Sequence, residues 1–149
     1  MILGFSTTFP DGRPTMFEQK ILLPHDPSLQ FEYPDLYPKI HTFRMGDRWR
    51  AGMTIHMATG TRSPQYRQFN AGIPGLEHCR STQRCIITCL HNPKPGIRIE
   101  IDGRSVDPLL FATNDGLEDL DKFFSWFGHP NKTVCHVGQI VHWTEFIYN

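Results

Sequence analysis

The chain predicts a small α+β domain in which five or six strands form a barrel-like sheet with two short helices. Three observations carry that expectation. Gly and Pro each occur 12 times in 149 residues, too many turn formers for a helical bundle. The apolar runs are short and rich in β-formers, as in Cys85-Ile86-Ile87-Thr88-Cys89-Leu90. One stretch alone carries a sustained helical period, with Leu117, Leu120, Phe123, Phe124 and Phe127 on one face. No repeat or boundary divides residues 1–149, and a single domain of this length buries roughly 68–70% of its unfolded surface.

The elements follow in order. The first nine residues read as a strand, stopped by Pro10-Asp11-Gly12-Arg13-Pro14. Thr15, with Glu18 three residues on, spells a capping box for a short helix whose apolar stripe is Phe17, Ile21 and Leu22, ended by Pro24. Residues 24–38 hold four prolines and are expected to be a stiff loop. A strand starts near Thr42. Arg48-Trp49-Arg50-Ala51-Gly52 turns the chain into a second, Met53–Met57, and residues 58–80 make a long polar excursion of the kind that often carries function. A strand follows at Arg84–Leu90, then a turn at Asn92–Gly96. Ile97–Ile101 and Ser105–Val106 pair as a hairpin about Asp102-Gly103, a type I′ signature. The periodic helix is expected to start near Asn114, with Asp115, Glu118 and Asp119 at its positive N-terminal pole and Gly128-His129-Pro130 as its stop. The last strand runs from Gln139 to Tyr148.

Net charge is zero, but its distribution is uneven. Residues 39–84 carry eight basic side chains against two acidic, and residues 100–121 carry seven acidic against one Arg. Seven of the eight central cations are Arg, the residue suited to bidentate phosphate contacts and to stacking on bases. The basic edge therefore suits an anionic ligand. No apolar run reaches the ~18–20 residues of a membrane helix, and Met1–Phe9 has neither basic leader nor cleavage site, so a cytoplasmic location is expected. The four cysteines, Cys79, Cys85, Cys89 and Cys135, fit no zinc or disulfide spacing and are expected to be reduced and buried. No metal or cofactor is implied. His78-Cys79 and Cys135-His136 would form a metal site only if the fold joined them.

Lys39-Ile40-His41-Thr42-Phe43-Arg44 packs two cations, a hydroxyl and an imidazole into six residues. Strand side chains alternate, so Thr42 and Arg44 share a face, while Lys39 joins them only if the chain turns just before the strand. The pattern places a strand start at the rim of a pocket, with Lys39 leaning in.

These residues, in this order of elements, resemble the ASCH domain family, whose fold is the PUA-like β-barrel. The resemblance rests on Phe17-x-x-x-Ile21, on Lys39-x-x-Thr42-x-Arg44, on the basic turn Arg50-Ala51-Gly52-Met53, and on Ala112-Thr113-Asn114-Asp115-Gly116-Leu117. It spans most of the chain from residue 15 onward and implies an α+β, PUA-like small β-barrel of five to six mixed strands with two or three short helices. The chain also looks like uncharacterised phage-type ASCH proteins. ASCH domains generally look like RNA- or nucleotide-binding modules. A subset of small bacterial members, the acetylcytidine amidohydrolases, uses a Lys, a Thr and a Glu. Lys39 and Thr42 match the first two, and Asp115 falls where the Glu would be, one methylene shorter.

Two activities follow from that likeness. As a binding module for RNA or a modified nucleoside or nucleotide, the chain would contact phosphates through Arg44, Arg48, Arg50, Arg62 and Arg67 and stack bases on Trp49, Tyr66 or Trp143. As a hydrolase, Thr42 would attack an acyl carbon, Lys39 would act as base once burial and Arg44 had lowered its pKa, and Asp115 would hold a water or the leaving amine. Arg44 or His41 would then face the oxyanion. Binding requires less and ranks first; a phage-type protein-interaction module is the third class.

Overall fold

The computed structural model describes residues 1–91 and 94–149, so the Asn92-Pro93 step of the expected turn lies outside the described residues. The architecture is mixed α+β. Strands β1 (Ile2–Phe5), β3 (His56–Thr59) and β4 (Arg67–Gln68) form one sheet, in which β1 runs parallel to β3. Strands β2 (His41–Met45), β8 (Val134–His142), β5 (Ser81–Leu90), β6 (Gly96–Ile101) and β7 (Arg104–Val106) form an antiparallel second sheet in that spatial order. The described strands do not close into one barrel. Among the described residues four short α-helices accompany them: α1 (Phe17–Leu22), α2 (Pro27–Glu32), α3 (Pro108–Asn114) and α4 (Leu120–Phe127).

The period-two pattern holds where it is clearest. Gln83, Cys85, Ile87 and Cys89 of β5 are buried while the residues between them are not. The β6–β7 hairpin turns at Asp102 and Gly103, whose φ values of 49° and 81° are those of the expected type I′ turn. The core is aromatic. Phe5 meets Phe17 and Trp143 edge to face at centroid separations of 6.4 and 6.2 Å, and Phe111 meets Phe123 at 5.9 Å.

Several boundaries differ from expectation, each for a local reason. No capping box forms at α1. Met16 takes the cap position with φ 56°, Thr15 Oγ1 accepts from Phe17 N at 3.3 Å while donating to Ser6 O, and Glu18 pairs with Arg67 instead. The Pro-rich segment contains α2, because Pro27 sits in a first turn, where its missing N–H costs nothing, and Asp26 caps it through Ser28 N. β3 starts at His56 rather than Met53, the preceding residues being held by loop contacts to residues 77–79. β8 ends at His142, and the chain to Tyr148 leaves the sheet.

The largest difference concerns Asp115. The expected helix starting near Asn114 is two helices with a break between them. α3 starts at Pro108 behind an Asp107 cap and ends at Asn114, Gly116 turns the chain at φ +84°, and α4 starts at Leu120 behind an Asp119 cap. Asp115 is thus the C-cap of α3, at the negative end of a helix dipole rather than the positive one. Its ionisation must come from groups other than the helix dipole.

The sheet that carries the Lys39–Arg44 segment depends on one close approach. Gly138 of β8 lies opposite Met45, and a Cβ at this position would sit 2.1 Å from the Arg44 carbonyl oxygen and 2.9 Å from the Phe43 ring. Gly138→Ala must therefore displace β2. It should destabilise the fold by about 1–3 kcal/mol or more, read as a lowered urea midpoint, whereas Val137→Ala on the exposed face should cost far less.

Candidate functional site

The approach to β2 is pinned from both sides before any functional side chain is placed. Lys39 N donates to Lys20 O of α1 at 3.1 Å, and Ile40 N donates to Asn114 O at the end of α3 at 2.9 Å. This is the turn that the Lys39–Thr42 spacing demands. It sends Lys39 inward, 2% exposed, with its ammonium 4.7 Å from the Phe17 ring centre and donating to the Asp115 backbone carbonyl. Its stem runs so close over Gly116 that a Cβ there would stand 3.0 Å from Lys39 Cδ, so the residue at 116 must be small as well as left-handed. Lys20, equally buried, caps the same turn by donating to Gly116 O and Glu118, each at 2.9 Å.

Asp115 is 4% exposed, and its carboxylate is held through one oxygen. Oδ1 accepts from Phe43 N at 3.2 Å and lies 3.3 Å from both Lys39 Nζ and His41 Nδ1. Oδ2 makes no hydrogen bond to any described residue and is not sealed from solvent. Burial works against the charge on Asp115, but the Lys39 ammonium and the His41 ring outweigh it and hold the pKa below the ordinary carboxylate value. Burial likewise lowers the Lys39 pKa, with Asp115 opposing and Arg44 assisting, to about 8. Near neutral pH the pair is thus ionised, with a neutral-amine fraction that grows quickly above it. His41 is fully buried and its pKa is lowered, again chiefly by desolvation.

Lys39, Thr42, Arg44 and Asp115 line one cavity of about 90 Å³. Phe5, Phe17, Phe43, Trp126 and Phe127 supply its apolar wall. The Thr42 hydroxyl has no hydrogen-bond partner among the described residues and is not sealed, so it is available to a ligand. Arg44 donates to Gly4 O at 2.5 Å and lies over the Phe5 ring, with its Nε enclosed and unpartnered. The cavity thus presents a nucleophile-type hydroxyl, an amine of lowered pKa, a free carboxylate oxygen and a guanidinium. That set can position and polarise a carbonyl compound.

The remaining candidates lie elsewhere. His41 sits behind Asp115, with its Nε2 2.7 Å from the Tyr148 hydroxyl, and does not line the cavity. Trp49 and Trp143 are core side chains, 1% and 2% exposed. Gln139 clasps the Trp49 backbone, accepting from its N at 2.7 Å and donating to its O at 3.2 Å. Arg48, Arg50, Arg62, Tyr66 and Arg67 are exposed and outside the cavity; Arg50 bonds to the Asp47 and Trp49 carbonyls, and Arg67 to Glu18. Tyr148 escaped sequence reasoning because it reaches His41 across 107 residues of chain; Asn114 and Trp126 join through tertiary contacts to Tyr148 and to Phe17. Cys79, Cys85 and Cys89 are buried as expected, but Cys135 is exposed. Among the described residues no three His, Cys, Asp or Glu side chains gather as metal ligands would. Among the described residues no helix is long and apolar enough to cross a membrane.

Comparison of the chain with protein-family models, with curated proteins and with solved structures finds no match.

The buried pair has a pH signature. Lys39 gives up its proton near pH 8 when folded and near the ordinary lysine value of 10.5 when unfolded, so between these values the unfolded chain holds more protons. Stability should therefore rise with pH across that window. Asp115 acts in the acid range, contributing stability above its unfolded value of 3.8 and losing it as pH falls. Urea midpoints measured from pH 7 to 10.5 should climb for the wild type relative to Lys39→Met. Parallel curves for the two proteins would contradict the desolvation of Lys39.

Proposed function

We propose that this chain is an amidohydrolase acting on the N-acyl group of a modified cytidine, built on an ASCH-type variant of the PUA-like fold. The observation that carries the reading is the buried Lys39–Asp115 pair beside the unpartnered Thr42 hydroxyl on one small cavity. A buried ion pair contributes little net stability compared with an apolar pair of the same volume, so packing alone does not account for it. A lysine poised near pH 8 beside a nucleophile-type side chain is a characteristic of catalytic sites.

The volume supports a small reacting group. A cavity of about 90 Å³ equals about three water molecules at roughly 30 Å³ each, well below the roughly 300 Å³ at which pockets for whole drug-sized ligands begin. An acyl group and its amide nitrogen fit inside, and the sugar stays at the mouth. Neutral Lys39 takes the Thr42 hydroxyl proton as Oγ1 attacks the acyl carbon. Arg44 faces the developing oxyanion. The tetrahedral adduct then expels the exocyclic amine, which takes back the proton from Lys39. Water held at Asp115 Oδ2 hydrolyses the acyl-threonine ester, releasing the carboxylic acid and restoring the hydroxyl.

A second reading, RNA or nucleotide binding along the basic edge, is favoured by the exposure of Arg48, Arg50, Arg62 and Tyr66. Arg48 and Arg50 both replaced by Ala should then flatten the salt dependence of binding to short single-stranded RNA. Absence of binding at low salt would remove this reading and leave the first untouched.

Acetate release from N-acetylcytidine tests the hydrolase reading directly. Thr42→Ala and Lys39→Ala should each reduce turnover to background, and the double variant should lose no more than either alone, because the groups act as a unit. Asp115→Asn, which keeps the volume and removes the charge, should cost on the order of 100-fold in kcat. The rate should rise through pH about 8 as Lys39 deprotonates. Wild-type protein that releases no acetate at pH 8–9 would overturn the proposal.

A further inference from the structure

The Asp115 carboxylate has a rear partner that the reaction itself does not use. His41 sits on β2, one residue before Thr42, and does not itself line the cavity. Its Nε2 lies 2.7 Å from the Tyr148 hydroxyl, which accepts from Asn114 Nδ2 at 3.1 Å. Its Nδ1 lies 3.3 Å from Asp115 Oδ1, an oblique approach rather than an aligned hydrogen bond. Tyr148 is in turn strapped to the sheet by Gln83. Tyr148 N donates to Gln83 Oε1 at 2.9 Å, Gln83 Nε2 donates to Tyr148 O at 2.8 Å, and the same Oε1 lies 3.0 Å from His142 Nε2.

Proton counting fixes the ring. Ionised Asp115 can only accept, which favours a hydrogen on Nδ1, although at an unaligned 3.3 Å this end does not hold the tautomer without Tyr148. The Tyr148 hydroxyl already accepts from Asn114, and its single proton has His41 Nε2 as its one acceptor among the described residues, so Nε2 must be bare. Both ends favour the same neutral tautomer.

We propose that His41 and Tyr148 are positioning residues: the Tyr148 hydroxyl locks His41 in its Nδ1–H tautomer, and that N–H faces Asp115 Oδ1 at 3.3 Å, biasing the carboxylate electrostatically so that Oδ2 is left for the cavity. The segment after β8 thereby becomes part of the site without touching it. The groups around this chain of contacts are Lys39 from the approach to β2, Arg44 across the cavity, and His142 on β8, whose ring centre is 5.5 Å from that of His41. Burial drives the His142 pKa down to about 3, with His41 assisting, so it stays neutral and does not compete as a cation for Asp115.

The tautomer and the carboxylate can be read without any substrate. Only the effect on rate rests on the hydrolase reading. Long-range 1H–15N spectra of protein labelled at histidine should show His41 with a protonated Nδ1 and a bare Nε2 across pH 6–8. In Tyr148→Phe, which keeps the ring and removes the hydroxyl, His41 should become a tautomer mixture. The Asp115 carboxyl pKa, followed by its 13C shift, should rise by about one unit. His41→Asn places an amide N–H near the Nδ1 position and should leave the Asp115 titration close to wild type, whereas His41→Leu should raise it as Tyr148→Phe does. If wild type hydrolyses N-acetylcytidine, Tyr148→Phe should lower kcat about 10-fold with KM unchanged, and His41→Asn should retain most of the activity. A wild-type His41 that carries its proton on Nε2, or an Asp115 titration identical in Tyr148→Phe and wild type, would overturn the proposal whether or not the chain is a hydrolase.

Discussion

Lys39 and Asp115 come from segments 76 residues apart, and their contact joins the approach to β2 to the end of α3. Each ion offsets the desolvation of the other, which for an unpaired buried carboxylate or ammonium is several kcal/mol; when Lys39 sheds its proton, Asp115 keeps the Phe43 N–H and the His41 ring. The Lys39 stem also forms the wall against which Phe17 and Gly116 pack, and its ammonium bonds both the carboxylate and the carbonyl of the same residue. The pair thus sets the distance between a strand end and a helix end. The cavity is the space left between them.

The same arrangement explains why the helix breaks where it does. A helix continuing through Asp115 would commit that carbonyl to its own ladder and withdraw the backbone acceptors that both lysines use. By turning at Gly116, the chain presents two free carbonyls, at Asp115 and Gly116, and each receives one buried lysine. Two cations at the C-terminal end of α3 also oppose its negative pole. Asp115, at that unfavourable pole, stays ionised only because Lys39, His41 and the Phe43 N–H all converge on it. Its lowered pKa and the lowered pKa of Lys39 are two aspects of one enclosure.

Part of this was legible in the residues. The type I′ hairpin at Asp102-Gly103, the buried alternation of β5 and the convergence of Lys39 with Thr42 and Arg44 each follow from rules that act within a few residues. So does the aromatic face of α4. Where the reading failed, a distant contact overrode a local signal. Asp115 looks like part of the helix N-terminus that Asp119 does cap, but the buried lysines recruit the residues before Asp119 as a turn. Thr15 and Glu18 spell a capping box, yet Arg67 takes the glutamate. Trp49 and Trp143 have the composition of a stacking platform, but the core needs their surface more.

The sequence by itself determined the mixed class of the fold, the hairpin turn at Asp102-Gly103 and three of the four groups on the cavity, because strand alternation and turn chemistry depend only on neighbours. Tertiary structure alone decided that Asp115 joins them through one oxygen, that His41 serves from behind, and that Tyr148 belongs to the site at all. Those facts depend on which buried charge finds which partner. That choice is set by desolvation and distance across the folded chain, quantities that no window of sequence contains.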